Sequence, residues 1–195
     1  MTTSLPTTRL AYRRTSSSTP GSKHTLVTEP IPPLSPTSVL IAVHAVSLNY
    51  RDANIAYGNN PWPVIPNGIP CNDCAGSIIA IGPSVKSLRI GDRVAPNIDT
   101  ENITGREIKR SWLSADEDGV LAEYVVLEER VVSRLPEYLS WEEGCTVPCA
   151  GVTAWMALKG TGMGASVLIQ GMCSTPQSRK KDREGLLTRG RYWWR

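Results

Sequence analysis

The sequence predicts a mainly β chain with an α/β part towards its C-terminal end, and three observations carry that prediction. Over residues 10–135, short apolar runs alternate with Gly- and Pro-rich punctuation, the pattern of a compact, barrel-like all-β unit. At Ser140-Trp-Glu-Glu143 the pattern changes to a capping box, with Ser140 bonding forward and Glu143 reaching back, which opens a helical region over residues 140–159. Val167-Leu-Ile-Gln-Gly171 then reads as a buried parallel strand running into a tight glycine turn, as at the start of a doubly wound nucleotide domain.

Taken in order, residues 10–13 and 25–29 are the first strands, separated by a turn-rich loop and closed by Pro30, Pro32 and Pro33. Residues 38–48 form the clearest strand of the front half. Val39, Ile41, Val43 and Ala45 alternate with Leu40, Ala42, His44 and Val46, so both faces are expected to be largely buried. Residues 49–57 fit one short helix, with Asn49 as N-cap and Gly58 as stop. Pro61, Pro63 and Pro66 exclude regular structure up to Gly68. Residues 75–81, 93–95, 120–127 and 130–135 read as further strands, and the polar stretch 99–118 as a surface loop. Gly91-Asp92 reads as a structural turn.

Composition excludes several classes of function. With 41% hydrophobic and 20% charged residues, the chain is an ordinary globular protein. Its net charge of +3 is a property of the tail alone: residues 172–195 hold seven Lys/Arg against Asp182 and Glu184, which leaves 14 basic and 16 acidic side chains before them. Nucleic acid is therefore not an expected partner of the body. The longest apolar runs are too short to cross a bilayer, and no membrane association is expected. Five cysteines at irregular spacings make no disulfide framework and fit a reducing compartment. No charged-then-apolar stretch is found, so no signal peptide is expected. The acid-free first 28 residues, with Arg9, Arg13 and Arg14, fit either a mitochondrial transit segment or a polar terminus; a cytoplasmic location is the default expectation.

Four motifs occur in order: Val46-Ser-Leu-Asn-Tyr-Arg-Asp52, Gly91-Asp-Arg-Val94, Gly119-Val-Leu-Ala-Glu-Tyr-Val125 and Cys149-Ala-Gly-Val-Thr-Ala-Trp155. Together they resemble the medium-chain dehydrogenase/reductase superfamily, in its zinc-independent, quinone-oxidoreductase-like branch. The resemblance implies a GroES-like β-barrel packed on a Rossmann domain, with NAD(P)H between them. It divides the chain into residues 1–138 (GroES-like domain), 139–171 (an incomplete Rossmann fragment) and 172–195 (a basic tail outside the family). The implied substrate is a small carbonyl, enone or alcohol, and homo- or hetero-oligomers are left open.

The resemblance also implies where the chemistry lies. Zinc-dependent members hold their catalytic metal with a cysteine near the first helix and a His-Glu pair in a glycine-rich stretch. Here Asn49 replaces the cysteine, while Asn72 and Asp73, within Cys71-Asn-Asp-Cys-Ala-Gly76, replace the pair. Amides are poor zinc ligands beside thiolate and imidazole. The stretch 99–118, where a structural zinc loop would fall, has no cysteine, so no metal is expected at either place. Asn49, Tyr50 and Arg51 correspond to groups near the nicotinamide and substrate. Tyr50 is the candidate proton donor to the developing oxygen; alternatively Asn49 only caps a helix while Tyr50 and Arg51 pack at its start. Arg51 and Asp52 could equally be a solvated pair. Thr153 corresponds to the residue lying against the nicotinamide, or is a mid-helix threonine bonding its own backbone. For Cys71-x-x-Cys74, and for Cys145 and Cys149, core packing outweighs metal or redox chemistry.

In full-length relatives the strand ending at Gly171 continues into a glycine-rich turn whose amides hold the pyrophosphate. Here Met172-Cys-Ser-Thr-Pro176 offers no second glycine, and the Arg191–Arg195 ending reads as out-of-frame or intron-derived sequence. Burying Val167, Leu168 and Ile169 would contribute about 1.5–3 kcal/mol each, and without partner strands most of it is lost. The expectation is a zinc-independent NAD(P)H oxidoreductase by family, impaired or inactive as this chain. The alternative is a non-enzymatic fragment or a partner module for full-length relatives.

Overall fold

A computed structural model describes residues 5–15, 23–162 and 166–167. Its centre is a five-stranded antiparallel sheet, with a two-stranded ribbon beside it. The ribbon pairs β1 (Thr8–Arg14) with β2 (His24–Pro30). The sheet contains β3 (Ser38–Ser47), β4 (Asp73–Ile81), β5 (Arg93–Pro96), β6 (Tyr124–Glu128) and β7 (Val132–Arg134), in the order β6-β3-β4-β5-β7. Three helical elements follow the chain: α1 (Tyr50–Ala56), α2 (Trp141–Gly144) and α3 (Val152–Leu158). Two compact units divide the chain at residues 155 and 156. The first holds the sheets, α1 and α2.

Each strand predicted before residue 136 is present, with instructive differences. The core side of β3 carries Val39 and Ile41, which pack with Ile78, Val94 and Val125. At His44 the register slips: Val43 pairs with Gly76 and Ala45 with Ala75, so His44 is an extra, bulged residue. A one-residue bulge exchanges the faces of everything after it. Val46 therefore joins the main core while Ala45 joins a second cluster with Ala75, Ala95, Leu135 and Cys145. The expectation that both faces of β3 are buried holds for its first half only; His44 itself is exposed. The stretch 130–135 opens as a 3₁₀ turn (Glu129–Val131) before β7, and the strand expected from residue 120 begins only at Tyr124.

β1 inverts the usual pattern. Leu10 and Tyr12 face outwards, while Arg9, 4% exposed, and Ala11 face in. The buried charge is tolerable because Glu29 accepts from both neighbouring guanidiniums: Arg9 Nη2 at 2.7 Å and Arg13 Nε at 2.8 Å. Arg13 also pairs with Asp118 at 2.7 Å, which ties the ribbon to the segment leading into β6. The bond from Arg13, reinforced by Arg9, holds the Glu29 carboxyl below the ordinary glutamate range.

Gly119 marks the tightest backbone approach. A Cβ there would lie 2.0 Å from the Cys71 carbonyl oxygen and 2.5 Å from that of Pro70. Glycine lets the chain donate Gly119 N to Ile69 O and Val120 N to Cys71 O, 2.8 and 2.9 Å apart.

After β7 the capping box expected at Ser140 is formed in both directions, Glu143 N to Ser140 Oγ at 3.1 Å and Ser140 N to Glu143 Oε2 at 2.9 Å. The helical region is not continuous, however. It runs as α2, a π-helical turn at Val147–Gly151 beginning around Pro148, and α3. Proline supplies no amide for a regular ladder, which accounts for the interruption. Trp141 of α2 stacks on His44 at 4.3 Å, and the Arg93 guanidinium lies 3.8 Å from its ring. The strand expected over residues 167–171 and the tail 172–195 lie outside the described residues, except for Val167. Among the described residues, no helix is long and apolar enough to cross a membrane.

Glu29→Ala leaves Arg9 buried without its carboxylate and is expected to cost about 3–5 kcal/mol in urea denaturation at pH 7. Because the folded Glu29 carboxyl is held low, its contribution is complete above the unfolded value near ~4.3 and is lost as pH falls through the folded value. Wild-type stability should therefore drop between about pH 5 and 3 more steeply than that of Glu29→Gln. Equal slopes would refute the pairing.

Candidate functional site

The site is assembled where α1 begins beside the start of β4. Asn49 is the N-cap, with extended backbone, and the Asp52 carboxylate reaches back to its amide at 2.8 Å. The other Asp52 oxygen accepts from Cys71 N at 3.2 Å. One side chain thus fixes the helix start against the turn that leads into β4. In that turn Cys71 takes a left-handed φ of 64°, which rotates Asn72 and Asp73 towards α1.

Asp73 is fully buried, and among the described residues no cation pairs with it directly. Its two oxygens are met by amides: Asn49 Nδ2 at 2.9 Å and Asn72 Nδ2 at 2.5 Å. Burial pushes the carboxyl above the ordinary aspartate range; the bonds from Asn49 and Asn72, and the Arg51 charge, oppose that rise. Arg51 continues the chain of contacts. It donates to Asn72 Oδ1 at 3.3 Å and to the Leu113 carbonyl, and lies 6.0 Å over the Trp112 ring. The adjacent Arg51 and Asp52 therefore engage different partners and do not behave as a solvated pair.

Four thiols surround this polar group. Burial, with Asp52 and Asp73 nearby, pushes Cys71 up to about 12 and raises Cys74 further. Cys145 and Cys149 are raised by burial too, and both sense the Asp73 charge. Such groups are inert as nucleophiles at neutral pH.

The structure thus brings Asn49 and Arg51 together with Asn72 and Asp73. It leaves Tyr50 83% exposed at the head of α1, and Thr153 exposed on α3. Gly171 lies outside the described residues. Sequence reasoning missed Asp52 as a hinge between α1 and Cys71, although its position three residues after Asn49 is the capping-box spacing. It also missed Trp62 and Trp112, whose rings meet edge to face at 5.6 Å. Among the described residues, no group of three or more His, Cys, Asp and Glu is placed to hold a metal ion. An open apolar groove of about 360 Å³, lined by Leu10, Tyr12, Leu26, His44 and neighbours, includes none of these site residues.

The curled antiparallel sheet is a half-barrel of the GroES-like kind. Residues 35–137 match the alcohol dehydrogenase GroES-like domain, and the chain belongs to that family, within the medium-chain dehydrogenase/reductase superfamily. A zinc-type alcohol dehydrogenase-like protein of Schizosaccharomyces pombe is 38% identical over 131 residues, covering 66% of this chain and 38% of its own length. The 2-methylene-furan-3-one reductase of Solanum lycopersicum is 31% identical over 148 residues, covering 72% of this chain and 35% of its own. The solved quinone oxidoreductase of Coxiella burnetii superposes with a TM-score of 0.59 at 26% identity, over 77% of this chain and 44% of that one. The chain spans less than half the length of each of these proteins.

Native alkylation with iodoacetamide at pH 8, mapped by mass spectrometry, checks the thiol environment. With its value near 12, Cys71 is ionised in roughly one molecule in 10⁴ at that pH. Cys71 and Cys74 should stay unlabelled until the protein is unfolded, and half-buried Cys149 should label first of the four. Rapid native labelling of Cys71 and Cys74 would mark them instead as a reactive pair.

Proposed function

We propose that this is the barrel half of a zinc-independent, NAD(P)H-dependent oxidoreductase acting on a small carbonyl, enone or quinone, with the corresponding alcohol as the reverse substrate. The observation that carries the reading is the closed hydrogen-bond group Asn49–Asp73–Asn72–Arg51. A zinc ion does not fit it. Both amide nitrogens point at the Asp73 carboxylate, the Asn72 oxygen is taken by Arg51, and a divalent cation would lie beside that guanidinium.

Without a metal to polarise the substrate oxygen, a protein donor has to meet it as charge develops. Tyr50 is the proposed catalytic residue: its exposed hydroxyl sits at the head of α1, beside residues whose positions are fixed by the Asp73 group. Asn49 and Arg51 hold that helix start in place. Bound NAD(P)H would supply the hydride, and Thr153 and Gly171, with Asn49, Tyr50 and Arg51, are its proposed contacts. The domain limits proposed are 1–138, 139–171 and 172–195, with a cytoplasmic location.

The test is NAD(P)H oxidation by the purified chain with a quinone or enone, with and without EDTA. Oxidation unaffected by EDTA, even if weak in a chain read as impaired, supports the reading, and oxidation abolished by EDTA refutes it; no oxidation together with no nucleotide binding favours the alternative, a non-enzymatic fragment or a partner module for full-length relatives. Tyr50→Phe should lower kcat by about 10²-fold while leaving KM little changed. An unchanged kcat would remove Tyr50 from the chemistry.

A further inference from the structure

The outer edge of the β1–β2 ribbon is open. On its other side β1 is engaged: Tyr12 N donates to Leu121 O and Arg14 N to Gly68 O, both at 3.0 Å, and Leu10 O accepts from Glu123 N at 2.9 Å. The even-numbered residues of β1 therefore direct their main-chain groups away from β2, and Arg9, Ala11 and Arg13 direct theirs towards it. The register Arg9↔Glu29, Ala11↔Val27, Arg13↔Thr25 then engages the odd-numbered groups of β2 and turns those of His24, Leu26 and Thr28 outwards. Among the described residues, no strand pairs with that edge. Nor is it blunted in the usual ways. The ribbon runs in register from Thr8 to Arg14 without a bulge, and proline stands only at the last position of β2, Pro30. Leu26 is 50% exposed, and Tyr12, its register partner, and Leu10 are exposed on the same face.

We propose that this edge pairs with the same edge of a second copy of the chain, antiparallel about a two-fold axis at Leu26, to give a four-stranded β1–β2–β2–β1 sheet. The sequence of β2 is self-complementary in that register. Leu26 meets its counterpart, His24 meets Thr28 on either side of the axis, and each facing pair exchanges two main-chain hydrogen bonds. One row across the sheet then reads Tyr12, Leu26, Leu26, Tyr12, an apolar row whose side chains cover one another. On the opposite face Lys23 stands across from Glu29 at both ends of the pairing, so opposite charges are in register. Moving the axis to Val27 sets Pro30, which has no amide, against His24, and moving it to Thr25 sets Lys23 against Val27; neither keeps the charge match. Pairing consumes the free edge of each ribbon, so assembly closes at the dimer. The contact is small and belongs to the weak, reversible class of interfaces. It requires no turnover and is independent of the oxidoreductase reading.

The test is sedimentation velocity of the full chain from about 1 to 200 μM, with amide hydrogen exchange followed by NMR at both ends of that range. The mass should rise from that of a monomer towards that of a dimer and stop there. The Leu26 and Thr28 amides should gain protection with concentration, while those of Thr25 and Val27, already in the ribbon ladder, should not change. Leu26→Lys sets like charges on the axis, and Thr28→Pro removes an outward amide and none of the ribbon's bonds; each should raise the dissociation constant about tenfold or more. Both positions are exposed, so both variants should keep the wild-type Tm. If a variant fails to fold, the exchange comparison on the wild type decides alone. A monomer throughout, a dimer unaffected by both folded variants, or Leu26 and Thr28 protection that is equal at the two concentrations overturns the proposal.

Discussion

A carboxyl group taken out of water with no cation directly against it is the constraint on which the candidate site depends. Asp73 can be buried only if donors reach both oxygens, since an unpaired carboxylate in an apolar setting costs many kcal/mol. The donors come from two directions, Asn72 from the same turn and Asn49 from the head of α1. Satisfying Asp73 therefore dictates where α1 begins. Asp52 then locks that position by accepting from Asn49 N and Cys71 N together. The left-handed Cys71 and the close approach of Gly119 to its carbonyl complete the turn. Arg51 and Tyr50 take their positions from a network in which neither is the central member.

The sheet was legible because its strands obey simple periodicity. Alternation in β3 and β4, and the Gly/Pro breaks between strands, are local signals that tertiary packing reinforces. Two features escaped that logic for the same reason. The bulge at His44 and the inward Arg9 of β1 are settled by partners distant in sequence: Gly76 and Ala75 for the bulge, Glu29 and the Tyr124 carbonyl for the guanidinium. A period-two pattern carries no information about where it will slip. The polar histidine interrupting an apolar run was the one local sign.

The site was legible in part. Asn49, Asn72 and Asp73 stood out because they occupy motif positions where other residue types were expected, and they do converge. That Asn49 and Asn72 both turn their nitrogens onto Asp73 is a three-body arrangement that no spacing rule contains. Trp62 was hidden differently. Read in sequence, Pro61-Trp62-Pro63 is only a break between elements; its significance appears when Trp112, fifty residues away, is found against it.

The loop 99–118 shows the same economy of means as the site. It contains no cysteine, yet it is not loosely held. Asp99 accepts from Glu101 N, Asn102 N, Ser111 N and Trp112 Nε1, and Glu117 accepts from Thr100 and Ser111. Those bonds hold Asp99 below the ordinary aspartate range despite the opposing effect of burial. A carboxylate ringed by N–H donors organises a loop as a small anion would, by collecting dipoles that otherwise face solvent. Leu113, Ser114 and Ala115 are buried as a result, which fixes the Leu113 carbonyl that receives Arg51. The polar loop is thus part of the site's support. Its carboxylates set the Trp112 ring and the Arg51 guanidinium in one frame, and that frame gives the Asp73 group its fixed outer boundary.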